Sequence, residues 1–424
     1  MEQLIITGGR RLRGAVKVAG GKNSSLAVIA SAALAADVSI LDNVPHCRDV
    51  STLVEILEAL GAQIEFTGER MTIDARGLKG HVAPYDLCRS MRASFYTAGV
   101  LLGRMGKAEV PLPGGCSIGS RPVDFHLRGF ATLGARITTE HGYMKATARR
   151  LRGNTFYVPR ISVGTTVNLM MAAAMARGVT TLQNAAREPE VVDTAVFLNL
   201  MGAKIKGAGT DTITIEGAQA LHGATYTIIP DRLEAGTFLL AGAATGGDVL
   251  VEEMIPEHVT ALLTKLEEAG VEVVRDADGV RVRAGGELRA VDVDTAPYPG
   301  FATDLHPPMV ALLARARGVS KIRETIFEAR FAYTDELRRM GADIKVDGDS
   351  VHVTGVERLS GAPVEAADIR GGAAVVIAAL AADGETAISR VKNLDRGYEA
   401  LESKLTLLGA RVVRDGQTES RQVG

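Results

Sequence analysis

Leu60-Gly61-Ala62-Gln63-Ile64 returns along the chain as Leu133-Gly134-Ala135-Arg136-Ile137, Met201-Gly202-Ala203-Lys204-Ile205, Ala269-Gly270-Val271-Glu272-Val273, Met340-Gly341-Ala342-Asp343-Ile344 and Leu408-Gly409-Ala410-Arg411-Val412. The glycines recur about every 70 residues, a period that marks internal repetition. Each phrase closes a stretch of helical periodicity, such as Val259 to Ala269. Glycine then supplies the left-handed position that stops a helix, and a strand follows.

Upstream of each phrase lies a second recurring element, an Ala-rich apolar helix followed by a short turn and a strand. Ser24 to Ala36 precedes Val38-Ser39-Ile40-Leu41, Asn168 to Ala176 precedes Val179-Thr180-Thr181-Leu182, and Ala373 to Ala382 precedes Thr386-Ala387-Ile388. A helix apolar on all sides belongs inside the molecule. The repeating unit therefore reads as strand, buried helix, strand, loop, outer amphipathic helix, strand. One such unit buries too little surface to stand alone, so six units make two domains of three. The fold class is α/β, with Pro230-Asp231-Arg232 at the midpoint as the crossing. The tail from Thr418 is polar, and Arg149-Arg150-Leu151-Arg152 reads as a solvated basic turn, with a phosphate contact as the lesser option.

Composition narrows the function. The chain has 424 residues and is 46% hydrophobic, but only 4% aromatic and without Trp, so Ala, Val, Leu and Ile must fill its cores. A formal net charge of −2 argues against nucleic acid as the main partner. Cys47, Cys88 and Cys116 form no CxxC pair, and the eight histidines lack zinc-ligand spacing, so no metal is expected. An odd thiol count and a start that reads as strand and turn suggest a reduced, cytoplasmic setting. Gly, Arg or Asp interrupts every apolar run before it reaches membrane-spanning length.

Chemistry concentrates in one loop, Pro111-Leu112-Pro113-Gly114-Gly115-Cys116-Ser117-Ile118-Gly119-Ser120-Arg121-Pro122-Val123-Asp124-Phe125-His126. It follows the expected strand Ala108 to Val110 and precedes an expected helix from Val123. A thiol, a guanidinium, a carboxylate and an imidazole share a segment that its prolines keep out of regular structure. The plain alternative is an irregular crossover around a small buried cysteine.

Other charged residues stand at the seams between repeat elements. Lys22-Asn23 opens the first apolar helix, Arg92 the second, Asp304 the fifth and Arg370 the sixth, while Arg330 and Arg396 occupy the opposite loop set. Each has a structural explanation: Asp304 is a good N-cap before Pro307 and Pro308, and Asp368 with Arg370 could be a local ion pair. Taken together, the cations of this set sit at helix starts and strand ends, where helix N-termini already favour anions.

At these residues the sequence resembles the UDP-N-acetylglucosamine 1-carboxyvinyltransferases, enolpyruvyl transferases of peptidoglycan synthesis. The motifs are Gly21-Lys22-Asn23, the Pro113 to Asp124 loop, Asn184 to Asp193, Phe301-x-Thr303-Asp304 and Asp395-Arg396-Gly397-Tyr398-Glu399, and the match runs from Leu4 to about Val413. The resemblance implies a two-domain inside-out α/β barrel with residues 22–229 in one domain, 1–21 and 230–424 in the other, and the site in the cleft between them. It implies transfer of the enolpyruvyl group of phosphoenolpyruvate to the sugar 3′-hydroxyl by addition and elimination, without metal or organic cofactor.

The resemblance also implies roles. Cys116, Asp304 and Lys22 are catalytic, with Asp304 the base at the 3′-hydroxyl and Cys116 the acid at the methylene carbon or an aid to product release. Lys22, Arg121 and Arg396 hold the phosphate, and Arg330 and Arg370 face the carboxylate with Arg92 nearby. Asn23 touches the sugar, and Arg121, Pro122, Val123 and Asp124 form part of the uridine pocket. Ser162, Gly164 and Ile326 complete the substrate-binding set. Such cations suit the chemistry, since like unit charges 4 Å apart repel by about 4 kcal/mol at an effective dielectric of 20. Four places depart from the usual pattern: Ala329, Val167, His306-Pro307-Pro308 in place of a Gln-rich turn, and Gly371 in place of Ala. The rivals are 3-phosphoshikimate 1-carboxyvinyltransferase, an RNA 3′-phosphate cyclase-like protein, and a non-catalytic duplicate that binds UDP-sugar.

Overall fold

The computed structural model of the protein describes residues 2–113, 123–275 and 277–416. The six repeated glycines all lie in the left-handed region, with φ between 89° and 106°. A side chain there would crowd the backbone, so these positions end the preceding helix wherever they occur. Helix Arg48–Ala59 thus gives way to strand Gln63–Thr67, and Pro189–Leu200 to Lys204–Lys206.

The apolar helices are α1 (Lys22–Ala32), α2 (Tyr96–Met105), α3 (Val163–Ala174), α4 (Arg232–Ala244), α5 (His306–Leu313) and α6 (Ile369–Ala381). They are buried around nearly their whole circumference; every residue of α4 from Leu233 to Ala244 is buried. Small residues let them approach closely. A Cβ on Gly99 of α2 would lie 2.4 Å from the backbone oxygen of Asn168 on α3. The outer helices are one-sided: Arg48–Ala59 buries Val50, Leu53, Ile56 and Leu57 and turns Ser51, Glu55 and Glu58 outward.

After the outer helix the first five repeats carry two strands where the sequence pattern predicted one. After the glycine the chain forms a hairpin, as in Gln63–Thr67 with Arg70–Asp74, Arg136–Glu140 with Tyr143–Thr147, and Asp343–Asp347 with Ser350–Thr354. Two-residue turns such as Gly68-Glu69 separate these strands, and the polar outward positions disguise the second one as loop. The strand entering α3, Thr155–Tyr157, pairs parallel with Val179–Gln183 beyond it, which requires the buried helix as crossover.

The sixth repeat lacks its own second hairpin strand. Gln3–Thr7 takes that place, lying antiparallel between Glu385–Ser389 and Arg411–Asp415. Arg13–Lys17 pairs parallel with Asp248–Glu252 of the fourth repeat. In the first repeat the corresponding parallel strand is Thr225–Thr227, which follows the third repeat and pairs with Val38–Asp42. Among the described residues the strands form six separate sheets, five of four strands and one of three, and no single sheet closes into a barrel.

The chain divides into two compact units. One contains residues 19–113 and 123–230, with a core that includes Ile29, Leu101, Phe130, Met170 and Phe197. The other contains residues 2–18 and 231–416, with a core that includes Leu4, Phe238, Met309, Tyr333 and Ile377.

Candidate active site

In the 231–416 unit the N-termini of α5 and α6 and the loop 324–332 bring three of the expected residues together. Asp304 sits on a single turn, Thr303–Leu305, that leads into α5. It caps no helix; the residue preceding α5 is Leu305, without a side-chain cap. The N-cap explanation of Asp304 is therefore incorrect. Its Oδ1 accepts from Arg330 Nη2 at 2.8 Å and its Oδ2 from Arg370 Nε at 3.0 Å. The local Asp368–Arg370 ion pair is likewise not what forms. Asp368 is the N-cap of α6 and accepts from the backbone N–H groups of Arg370 and Gly371, which leaves the Arg370 guanidinium for Asp304.

Both guanidiniums are buried, Arg330 at 4% exposure and Arg370 at 3%. Burial alone would raise the Asp304 carboxyl, but the two cations outweigh it and hold the group far below the usual carboxylate range. Burial works against the Arg370 cation, yet Tyr398, Asp304 and Asp231 more than compensate and strengthen its hold on the proton. Two donors stay unmet: Nε of Arg330 and Nη1 of Arg370 have no hydrogen-bond partner among the described residues.

Glu324 organises the ground behind Arg330. Its Oε1 accepts from Thr295 Oγ1 at 3.1 Å and from the backbone N–H groups of Ile326 and Phe327 at 2.8 and 3.1 Å. Its Oε2 accepts from Thr303 Oγ1 at 2.7 Å and meets His306 Nδ1 at 3.1 Å. Thr303 Oγ1 in turn accepts from Arg330 Nη1 at 2.8 Å. Burial, aided by the Arg330 charge, lowers the His306 imidazole, so it is neutral; Nδ1–H donates to Glu324 and Nε2 accepts from Tyr333 Oη at 2.9 Å. Burial favours the neutral Glu324 carboxyl, but its donors win and hold it lower than usual. The His306-Pro307-Pro308 departure thus has a physical use. At Gly371, the other departure here, an added Cβ would lie 3.0 Å from Asp368 Oδ2 and 3.1 Å from Tyr333 Cβ, so an alanine would need its neighbours to give way. Sequence reasoning missed Glu324; a lone acid after the apolar-alternating strand Val319–Arg323 was the available signal. Ile326 enters through its backbone N–H, and Ala329 is exposed. Arg396 is half-buried and follows Asp395, whose carboxylate Arg414 holds at 2.7 and 3.0 Å.

In the 19–230 unit, Lys22 Nζ at the start of α1 lies 3.3 Å from Asp49 Oδ2, and Asn23 follows it on the first turn. Ser162 caps α3, accepting from Thr165 N at 3.2 Å. A Cβ on Gly164 would come within 3.5 Å of the His126 ring. His126 is buried, and its Nδ1 accepts from Asn168 Nδ2 at 3.1 Å. Burial and the nearby Arg92 charge push this imidazole down to about 3. Asn168 also accepts from Gly99 N at 2.7 Å and donates to Phe95 O at 2.8 Å, so α2, α3 and the helix Asp124–Thr132 meet at one amide. Asp124 opens that helix after the partly buried Val123, and its Oδ1 is buried without a partner among the described residues. Val167, the second departure, is wholly buried in the core. Cys47 and Cys88 are buried thiols. Cys116, Arg121 and Pro122 lie outside the described residues.

Comparison with known proteins places the chain. The family model described as EPSP synthase (3-phosphoshikimate 1-carboxyvinyltransferase) matches residues 6–405. "UDP-N-acetylglucosamine 1-carboxyvinyltransferase 2" of Symbiobacterium thermophilum is 55% identical, over 97% of this chain and 98% of that protein. The chain belongs to the enolpyruvyl transferase family. "UDP-N-acetylglucosamine 1-carboxyvinyltransferase 3" of Caldanaerobacter subterraneus subsp. tengcongensis is 51% identical, over 98% of this chain and 99% of that protein. The crystal structure of the enolpyruvyl transferase NikO from Streptomyces tendae superposes with a TM-score of 0.88 at 29% identity, covering 97% of this chain and 98% of that one. The enolpyruvyl transferase arrangement of repeats and buried helices is thus the fold of this chain. No helix among the described residues is long and apolar enough to cross a membrane.

Proposed function

We propose that the chain transfers the enolpyruvyl group of phosphoenolpyruvate to the 3′-hydroxyl of UDP-N-acetylglucosamine and releases inorganic phosphate. The observation that carries this reading is the Asp304–Arg330–Arg370 cluster, a carboxylate and two buried guanidiniums with unmet donors, in a chain half identical to proteins named for this reaction.

The steps balance as follows. Asp304 takes the proton of the 3′-hydroxyl, and the oxygen attacks the central carbon of phosphoenolpyruvate while its methylene carbon gains a proton from Cys116. The tetrahedral adduct then gives up a methyl proton to the Cys116 thiolate and expels phosphate, which takes the proton held by Asp304, restoring the double bond and both groups. Arg330 and Arg370 suit the substrate carboxylate, because forked donors fix both charge and geometry. Lys22, Arg121 and Arg396 take the phosphate, which carries about −1.5 to −2 near neutral pH, and Arg92 adds positive charge. Asn23, Pro122, Val123, Asp124, Ser162, Gly164 and Ile326 contact the sugar nucleotide; the orphaned Asp124 oxygen is an acceptor suited to an imide N–H. No resident metal or organic cofactor enters this chemistry, and the reaction belongs in the cytoplasm, where both substrates are soluble anions. The 3-phosphoshikimate rival rests on family-level likeness alone.

Phosphate release tests the proposal. The chain should release phosphate only when both substrates are present, and Asp304→Asn should stop it. Release from phosphoenolpyruvate alone, or none with both substrates, would refute the proposal.

A further inference from the structure

The Asp304 carboxylate is the assumed base of the reaction, yet as placed it cannot be one. Each oxygen is committed to a permanently charged guanidinium at 2.8 or 3.0 Å. A carboxylate held this way has little affinity for a proton. Something must loosen the clamp before a hydroxyl can be deprotonated.

The surroundings say which member moves. Arg330 is pinned on its other side by Thr303, itself fixed by Glu324, and the Phe327 ring lies 5.3 Å from its guanidinium. Arg370 rises from the buried α6, with its guanidinium 5.2 Å from the Tyr398 ring, and Tyr398 Oη is bonded to Thr237 Oγ1 at 2.9 Å. Asp304, on its single turn, keeps a side chain 28% exposed. The arginines are the fixed frame and the carboxylate is the movable part. The frame is also incomplete, since Arg330 Nε and Arg370 Nη1 are buried without acceptors. An unmet buried donor is costly, the more so when charged, so a second carboxylate at these arginines would be favoured.

We infer that Asp304 and the carboxylate of the anionic substrate compete for Arg330 and Arg370, and that arrival of the substrate carboxylate releases Asp304 to act as base. The inference rests on the phosphoenolpyruvate reading given above. It couples the two substrates: the base is masked until the enolpyruvyl donor is in place. It also assigns Glu324 and Thr303 as positioning residues that keep Arg330 still while its partner changes.

Titration calorimetry of the full chain, without sugar nucleotide, tests the competition. Phosphoenolpyruvate and inorganic phosphate are titrated separately into wild type, Asp304→Ala and Asp304→Asn. Asp304→Asn conserves shape in case the alanine variant fails to fold, and retained phosphate binding certifies the fold of either. Losing the competitor should tighten phosphoenolpyruvate about tenfold or more, the effect of one charge-assisted contact, while inorganic phosphate, which lacks a carboxylate, shifts by about twofold or less. Unchanged or weaker phosphoenolpyruvate binding would overturn the inference. So would equal tightening of both ligands, which is a mere change of net charge. Wild-type turnover is measured in parallel. Turnover without tightening sinks the competition alone, whereas tightening without turnover sinks the functional reading and leaves the competition standing.

Discussion

At the scale of single residues, the site depends on where charge is tied up. Asp304→Asn should lower turnover by about 100-fold or more, the usual size of a general-base contribution. UDP-N-acetylglucosamine affinity should stay within about 1–2 kcal/mol, because a base acts mainly in the transition state. Steady-state kinetics beside direct titration separates the two effects. A thiol prediction follows from burial, which pushes Cys88 up to about 11 against the Ser94 hydrogen bond. Only thiolate reacts, so a soluble alkylating reagent at neutral pH should leave Cys88 unmodified in the folded chain; peptide mass spectrometry reads the outcome. Much at this scale was legible from the sequence: Asp304, Arg330 and Arg370 were singled out as one set. Their mutual bonding was not, because Asp304 also satisfies the composition of an N-cap. Glu324 and Asn168 escaped notice because a single polar residue beside apolar ones carries no periodic signal.

At the scale of elements, the buried helices were legible from their uninterrupted apolarity and the outer ones from their one-sided periodicity. Their starts were less so: α3 begins at Val163, five residues before the expected Asn168, because Thr165 and Thr166 read as polar although both are buried. The contact of α2 with α3 makes its own prediction. A methyl on Gly99 meets Asn168 Oδ1 at 2.2 Å, so Gly99→Ala should destabilise the chain by about 1–3 kcal/mol or more, read as a lower melting temperature. Asp193, on the helix Pro189–Leu200, gives a pH signature. Burial pushes its carboxyl up to about 6, against the Tyr226 hydroxyl that donates to it at 2.5 Å. The folded chain then holds a proton that the unfolded chain has released, so stability falls as pH rises from about 4 to about 6, by up to about 3 kcal/mol. Asp193→Asn should flatten that part of a denaturation profile recorded against pH. An unchanged slope would assign the effect elsewhere.

For the whole molecule, the regular spacing of six glycine phrases announced the repeats, and their number fixed three per unit. What the spacing could not announce is that the last repeat borrows a strand. Gln3–Thr7 is far from residues 385–415 in sequence, and pairing over such a separation leaves no local mark. Removing residues 2–18 should therefore expose the amides of Glu385–Ser389 and Asp248–Glu252 to hydrogen exchange, while those of α1 to α3 keep their protection. Equal loss in both units would contradict that division. Transfer to one acceptor and not another is read out by letting two acceptors compete. The chain is incubated with phosphoenolpyruvate and equal amounts of UDP-N-acetylglucosamine and shikimate 3-phosphate, and both acceptors are then weighed by mass spectrometry. An enolpyruvyl ether should form on the sugar nucleotide alone, matched one for one by inorganic phosphate. An enolpyruvyl group on shikimate 3-phosphate, or phosphate released with neither acceptor modified, would contradict it.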